Sequence, residues 1–210
     1  MRKLQRGPAP ACLSLYRHGL NNWKALTADN RQEIWVSLEA MQQQRCAYCE
    51  GELRIGKRHI EHFRQRDRDT RLTFIWSNLF GSCNKDDSCG KYKDELPRYD
   101  PASLIKPDDE DPEHVFLFIS DGNIAVREGL SIMEKQRANE TIRIFNLNGV
   151  LRARRHRAVL GYLSLAKEVQ ELVNSGGFTL EQGNEVLKNE LLTIAHLPFS
   201  TAIRHVLTAA

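Results

Sequence analysis

Four cysteines between residues 46 and 89 have the spacing of metal ligands. Cys46-x2-Cys49 and Cys83-x5-Cys89 form two pairs, with 33 residues between Cys49 and Cys83. Four thiolates complete the tetrahedral shell of one Zn²⁺ when two loops converge, and such a site is structural because no position is left for substrate. The second spacing is longer than the usual x2, so the alternative is two unrelated pairs of buried thiols.

An adjacent acid and histidine, Glu61-His62, lie between the two cysteine pairs. A free imidazole has a pKa of about 6.5, so His62 is a candidate general base that activates water for phosphodiester hydrolysis. Glu61 offers oxygen ligands to Mg²⁺ or another divalent cation, with His62 as its neighbour in that catalytic cation site. Adjacent side chains on a strand point to opposite faces, so a shared cleft requires a bend or bulge here.

Three further residues complete the candidate catalytic set. The amide of Asn78 can hold the loop that carries His62 through a backbone hydrogen bond. Asp94 is the first candidate for the third member of the set and His59 is the second, with an ordinary strand-face role as the alternative for His59. Four basic residues are candidates for nucleic-acid binding, with a solvated surface as their alternative: Arg64, Arg66, Lys91 and Lys93.

Short elements must position these residues. Apolar residues at helical spacing predict a helix near residues 30–44, before a tight turn at Cys46–Cys49. The remaining predictions for this part are strands at 52–55 and 58–63, a charged loop at 64–71, a helical turn at 76–80 and a helix from residue 89 to 96. We expect Trp23 and Trp35 to pack in the core.

The second half of the chain contains three kinds of segment: a proline-rich acidic stretch, a predicted hairpin and a run of predicted helices. Four prolines and the acidic run 108–111 mark residues 97–114 as a linker or long surface loop. Asp121-Gly122 between two β-prone runs predicts a hairpin. The pattern is then helical over about 131–146, 150–174, 179–196 and 199–208. The expected domains are 1–98 with the N-terminal arm, helix and metal core, 99–130 with the acidic loop and β-hairpin, and 131–210 as a helical partner-binding region.

Composition excludes some classes without selecting one. The 210 residues contain 30 basic and 27 acidic side chains, and this mixed charge neither demands nor excludes nucleic acid. No apolar run approaches the roughly 20 residues of a membrane span, and the basic N-terminus has no apolar signal-peptide core. A cytoplasmic protein with no membrane association is therefore expected. In the cytosol, paired cysteines more often hold metal than form disulfides, and Cys12 remains as a buried small residue.

The motifs in this order resemble a known family. CAYCE, HIEHFRQR, WSNLFGSC, CGKYKDE and YDPASLIKPDDEDPEHVFLFISDG, after an N-terminal MRKLxRG, are similar to the PtuB-type HNH endonucleases of bacterial Septu and retron anti-phage systems. The resemblance covers about residues 1–130. It implies an α+β fold with a zinc-stapled ββα-metal (HNH) core.

The resemblance also implies roles and partners. It assigns His62 the catalytic histidine role, Glu61 the adjacent metal-site role and Asn78 the HNH asparagine role. Many HNH sequences have a metal-binding histidine directly after the last cysteine, where this chain has Gly90. The implied partner is a PtuA-type ATPase, and in retrons also a reverse transcriptase with its RNA–DNA hybrid.

Two functional hypotheses follow. The first is a metal-dependent HNH endonuclease effector, with DNA as the favoured substrate and RNA, such as tRNA, as the other. The second is a non-catalytic zinc module that binds nucleic acid or an ATPase partner, which the missing third histidine favours. The two differ in whether function survives a His62→Ala change.

Overall fold

Six α-helices and two small antiparallel sheets make up residues 1–209, which are the residues that this computed structural model describes. The strands are β1 Arg58–His62, β2 Leu79–Cys83, β3 Phe116–Phe118 and β4 Ile124–Val126. The helices are α1 Ala28–Gln42, α2 Cys89–Glu95, α3 Ile132–Ile144, α4 Leu151–Asn174, α5 Leu180–Thr193 and α6 Ser200–Thr208. The predicted α+β class is therefore confirmed.

The first sheet, β1–β2, is followed directly by the short helix α2. The register pairs Arg58 with Cys83 and His62 with Leu79. All five residues of β2 are buried. At Gly81 the strand lies close to α1, and the Gln42 side chain both donates to and accepts from the Gly81 backbone. In this part the chain therefore runs strand, strand, helix.

The partner of β1 differs from the predicted one. The sequence predicted a strand at 52–55, but Glu52 makes only an isolated bridge to Arg45. Ile55 is 87% exposed, so its apolar side chain does not pack against the core as a buried strand residue would. The predicted strand at 52–55 is wrong, because β1 pairs with β2, a segment that is buried along its whole length.

The predicted helical turn at 76–80 is shorter than expected. A 3-10 helix covers Trp76–Asn78, and Leu79 and Phe80 already belong to β2. Both of these side chains are fully buried, because the sheet faces the core at this point. Phe80 therefore packs as a strand residue.

Residues 97–114, predicted as a linker or a long surface loop, form a long loop that packs on the body of the protein. Leu104 and Ile105 are buried. Arg6 of the N-terminal arm donates to Asp108 at 2.6 Å, and the Leu4 amide donates to a carbonyl of the same loop. Arm and loop therefore secure each other, which composition alone does not reveal.

The second half matches the predictions closely. Strands β3 and β4 pair as the hairpin predicted from Asp121-Gly122. Helices α3 and α5 begin with capping boxes formed by Ser131 with Glu134 and by Thr179 with Gln182. All four predicted C-terminal helices are present. The division into domains 1–98, 99–130 and 131–210 stays a prediction.

Helix α6 is anchored beside the first cysteine pair. Glu50 follows Cys49 directly and accepts hydrogen bonds from the backbone and the hydroxyl of Thr201. Arg45 precedes the pair and donates to the Leu197 carbonyl and the Ser200 hydroxyl. The C-terminal helices are therefore held against the turn that carries Cys46 and Cys49.

Candidate functional site

The four predicted zinc ligands meet in one buried cluster. The Sγ atoms of Cys46, Cys49, Cys83 and Cys89 all lie within 4.8 Å of one another, and all four residues are buried. A tight turn carries the first pair, Cys83 ends β2 and Cys89 begins α2. Among residues 1–209 this is the one group of three or more such ligands that close together.

The chemistry of this donor set fits zinc. Burial alone would raise the pKa of the Cys46 thiol, but the three neighbouring thiols hold it well below its ordinary value. One thiolate is therefore available to start metal binding, since the thiolate is the ligand form. Two hydrogen bonds tie the sulfurs to their surroundings: the Gly51 amide donates to Cys49 Sγ at 3.3 Å, and the Cys46 thiol donates to the Ser82 hydroxyl oxygen at 3.8 Å. These four residues can hold a structural zinc ion.

A cleft of about 840 Å³ lies beside the cysteine cluster. Strand β1 forms one wall with His59, Glu61 and His62, and the segment 18–23 forms another. Arg66 and Asp94 also line the cleft. The structure thus brings most of the predicted catalytic residues to one cavity.

Glu61 is the centre of the polar network in the cleft. Its side chain is 1% exposed, and it lies 2.7 Å from Lys93 Nζ and 3.1 Å from His59 Nε2. Burial alone would raise its pKa, but Lys93 and then His59 hold the pKa of Glu61 below its ordinary value. The carboxylate is therefore charged at neutral pH and both of its oxygens are engaged.

His62 is held by the backbone on one side. Its Nε2 lies 3.0 Å from the Thr73 carbonyl, which only accepts, so Nε2 carries the proton and Nδ1 is the basic nitrogen. The Trp23 ring meets the imidazole edge-on at 4.4 Å. Burial lowers the pKa of His62 to about 4, so the ring is neutral and able to accept a proton at pH 7.

Asn78 ties together the loop that follows β1. Its Oδ1 accepts from the Arg64 amide at 2.7 Å. Its Nδ2 donates to the carbonyls of Arg64 and Leu72 at 3.1 and 3.2 Å. The loop directly after His62 is thereby fixed to the turn before β2, which is the backbone contact expected of this amide.

The predicted phosphate contacts divide into two groups. Arg66 is exposed at the cleft, whereas Arg64 is exposed at a separate, smaller cavity that Asn78 also lines. Lys91 is partly exposed and pairs with Asp86 at 2.9 Å. Lys93 is fully buried, so it cannot reach a phosphate, which corrects its predicted place in the nucleic-acid surface.

Lys93 is instead a structural cation inside the protein. Its Nζ contacts the His62 carbonyl and the Asp94 carboxylate, both at 2.8 Å, in addition to Glu61. Burial, and then the charge of Glu61, raise the pKa of Asp94. Asp94 thus pairs with Lys93 at the wall of the cleft, and its predicted place as third member of the catalytic set stays a prediction.

The predicted pairing of Glu61 with His62 around a divalent cation stays a prediction. Nε2 of His62 is engaged by Thr73, whereas Glu61 faces His59. Both residues line the same cleft although β1 keeps a regular antiparallel register through them, so the bend or bulge expected from the sequence is not required.

Two residues that contact His62 in the cleft were not predicted from the sequence. Trp23 was predicted to be core packing, yet it lines the cleft and touches His62. Thr73, which fixes the imidazole, acts through a backbone carbonyl, so its residue type carries no signal. Both lie far along the chain from His62 or outside the motifs, and only the fold brings them together.

Comparison with known proteins adds no assignment. No protein-family model matches this chain, and no curated protein matches it. No helix within residues 1–209 is long and apolar enough to cross a membrane.

Proposed function

We propose that this protein is an HNH-type endonuclease that hydrolyses phosphodiester bonds in nucleic acid. The observation that carries the proposal is the neutral His62 imidazole, held at Nε2 by the Thr73 carbonyl and placed in an open cleft. The strand–strand–helix order around the cleft supports it, as do the four clustered thiols that join β2 to α2.

In the proposed reaction His62 Nδ1 takes a proton from water as its oxygen attacks phosphorus. The P–O bond to the leaving sugar oxygen breaks, and that oxygen takes a proton from solvent. Asn78 holds the loop after His62 in place, so the imidazole keeps its orientation. Arg66, exposed at the cleft, contacts phosphate oxygens and positions the strand. Zinc at the four cysteines supplies folding energy when bound and takes no part in the chemistry.

DNA is the favoured substrate of the proposed nuclease, and RNA such as tRNA is the alternative. The proposed setting is a bacterial anti-phage complex of the Septu or retron type. There a PtuA-type ATPase, together with the reverse transcriptase and its RNA–DNA hybrid in retrons, would control the nuclease. Exposed leucines on the C-terminal helices support a partner surface: Leu160, Leu172, Leu180 and Leu192.

The test is cleavage of labelled DNA and RNA pools by zinc-loaded protein, with and without its ATPase. Wild type and His62→Ala are compared in Mg²⁺, in Mn²⁺ and in chelator, with zinc content measured in each arm. We expect one pool to shorten with wild type only. Equal behaviour of the two proteins, with zinc and partner present, overturns the nuclease proposal.

The second candidate function is a non-catalytic zinc module that binds nucleic acid or an ATPase. The Lys93–Glu61 ion pair favours it, because both groups that would serve catalysis there are engaged internally. This candidate requires that His62→Ala leaves nucleic-acid or ATPase binding unchanged while no cleavage occurs with either protein.

A further inference from the structure

A tight turn at residues 17–22 belongs to the wall of the cleft that β1 does not form. The amides of Leu20 and Asn21 both donate to the Arg17 carbonyl, at 3.2 and 3.0 Å. The Asn21 side chain accepts from the Arg17 amide at 2.9 Å. Gly19 has a φ of +84°, which glycine adopts without strain. The turn is therefore held in shape by its own hydrogen bonds.

Leu20 places an apolar side chain in water at this wall. It is 79% exposed and lines the cleft. Single exposed leucines are common on protein surfaces, but this one lies on a fixed turn in the same cleft as His62. Leu15 is exposed to a similar degree, 69%, and does not line the cleft. Leu20 is therefore available to an apolar surface that enters the cleft, and Leu15 is not.

Trp23 adds an aromatic surface to the same wall. Its ring is half-buried and lines the cleft. The ring centres of Trp23 and Phe74 are 5.9 Å apart, and Phe74 stacks on Tyr16 at 5.2 Å. The Trp23 carbonyl accepts from the Arg31 side chain at 2.9 Å. The wall is thus fixed by packing, so little conformational freedom is lost when a ligand binds there.

Positive side chains surround this wall. The guanidinium carbons of Arg31 and Arg66 lie 5.5 and 5.9 Å from the centre of the Trp23 ring. Arg66 is exposed, and so is Lys24, which follows Trp23 directly. Cations placed beside an aromatic surface are typical of sites that bind a nucleic-acid strand, because the cations attract phosphates while the ring meets a base.

The acidic residues of the cleft leave most of this positive charge in place. Glu61 and Asp94 lie 2.7 and 2.8 Å from the Lys93 ammonium, so their charges are partly offset inside the protein. Asp67 also lines the cleft and is exposed. The charge near Trp23 therefore favours a polyanion as the ligand of this wall.

The cleft has room for a nucleotide beside His62. Its volume of about 840 Å³ lies within the range of about 300–1,000 Å³ that is typical of small-ligand sites. The ring centres of Trp23 and His62 are 4.4 Å apart, so a base that packs on Leu20 and Trp23 brings its neighbouring phosphate close to the imidazole. The faces of bases are covered by stacking in a regular duplex, so this surface is open only to an unpaired base.

We propose that Leu20 and Trp23 form a base-contacting site that takes the face of one unpaired nucleobase from a DNA or RNA strand. The site rests on the proposed nuclease function for its purpose, which is to determine which phosphate lies at His62. Packing against apolar and aromatic side chains accepts any base, because every base has a π-face. The site therefore selects an unpaired strand over a duplex and does not read the base sequence.

The experiment is fluorescence anisotropy of labelled oligonucleotides with zinc-loaded full-length protein and no added divalent cation. The probes are a single-stranded DNA, the RNA of the same sequence and the DNA duplex, each titrated over a range of salt concentrations. The variants are Leu20→Ser, Leu20→Met and Arg66→Gln. The matched control is Leu15→Ser, because Leu15 is exposed but lies outside the cleft. Zinc content and circular dichroism establish that each variant is folded.

We expect Leu20→Ser to weaken single-strand binding roughly tenfold, with an unchanged dependence on salt because no phosphate contact is lost. Leu20→Met and Leu15→Ser should bind like wild type. Arg66→Gln should lower the salt slope by about 1, which separates a phosphate contact from a base contact. The strand that binds more tightly, DNA or RNA, identifies the sugar that the site accepts.

The proposal is overturned if Leu20→Ser binds the single strands as wild type does, or if Leu15→Ser weakens them equally. It is also overturned if Leu20→Ser weakens duplex binding by the same factor, or if wild type binds neither single strand. Because this assay measures binding alone, its failure leaves the cleavage test with His62→Ala untouched. Absence of cleavage in that test equally leaves a positive binding result in place.

Discussion

The cysteine cluster and the cleft lie side by side and are built in opposite ways. The cluster is closed, with four like ligands buried within 4.8 Å. The cleft is open and mixes imidazole, carboxylate and ammonium around Glu61, with a cavity of about 840 Å³ in front. Helix α2 joins the two regions, because it carries Cys89 of the cluster at its start and Asp94 of the cleft near its end.

The largest difference between the two regions should appear on loss of a thiol. We expect Cys83→Ser to lose zinc and most of the fold, because structural zinc contributes roughly 10 kcal/mol to such sites. Metal analysis and circular dichroism measure this. Cys12→Ser is the control, since Cys12 is buried but lies outside the cluster. Equal stability of the two variants would show that the cluster does not hold the fold.

Next in size is the internal ion pair of the cleft. Lys93→Met leaves the Glu61 charge buried without its partner, and we expect a loss of about 3–5 kcal/mol in the free energy of unfolding. Lys91→Met is the control, because Lys91 pairs with an exposed Asp86 and should cost less than about 1 kcal/mol. Denaturant titration of both variants at pH 7 decides it, and similar midpoints would contradict the account.

The free energy of unfolding should fall as the pH drops below 6.5, because His62 is buried in its neutral form. The pKa of His62 is lowered to about 4 by burial, while an unfolded histidine titrates near 6.5, so the unfolded state binds more protons between these values. Stability from this group is therefore complete above pH 6.5 and falls by up to about 3 kcal/mol as pH drops to 4. Denaturant midpoints over pH 4–8 measure the slope, and His62→Gln should flatten it. An unchanged slope would show that His62 titrates normally.

The smallest expected stability effect concerns the loop after His62. Asn78→Ala removes hydrogen bonds to Arg64 and Leu72 and should cost roughly 1–3 kcal/mol. The exposed Asn84→Ala, as control, should change stability by less than about 0.5 kcal/mol. We also expect slower cleavage by folded Asn78→Ala. If its cleavage equalled that of Asn84→Ala, the loop would not position the base.

The sequence revealed the closed region far better than the open one. Cysteine spacing is sufficient to predict the cluster, because thiolates at such positions have few other uses. Asp121-Gly122 and the helical periodicity likewise predicted the hairpin and four C-terminal helices. Each of these predictions depends on residues that are close together in the sequence, so it does not require knowledge of the tertiary structure.

The cleft depends on contacts between distant segments. From the sequence, Lys93 was expected on the surface. In the structure, α2 directs its side chain inward to Glu61 and the His62 carbonyl. The strand at 52–55 was predicted from pattern, but β2 supplied the buried partner. Trp23 reaches His62 from a different part of the chain. Pairing of this kind follows from tertiary packing, which residue spacing does not encode.

The most direct test of the account is single-turnover cleavage by zinc-loaded wild type and His62→Ala, with Mn²⁺ and the ATPase present, on whichever of the DNA and RNA pools wild type shortens. We expect His62→Ala to slow cleavage by roughly 100-fold or more, as loss of a general base does. Added imidazole should restore part of the rate. Equal single-turnover rates for the two folded proteins would contradict the assignment of His62 as the base.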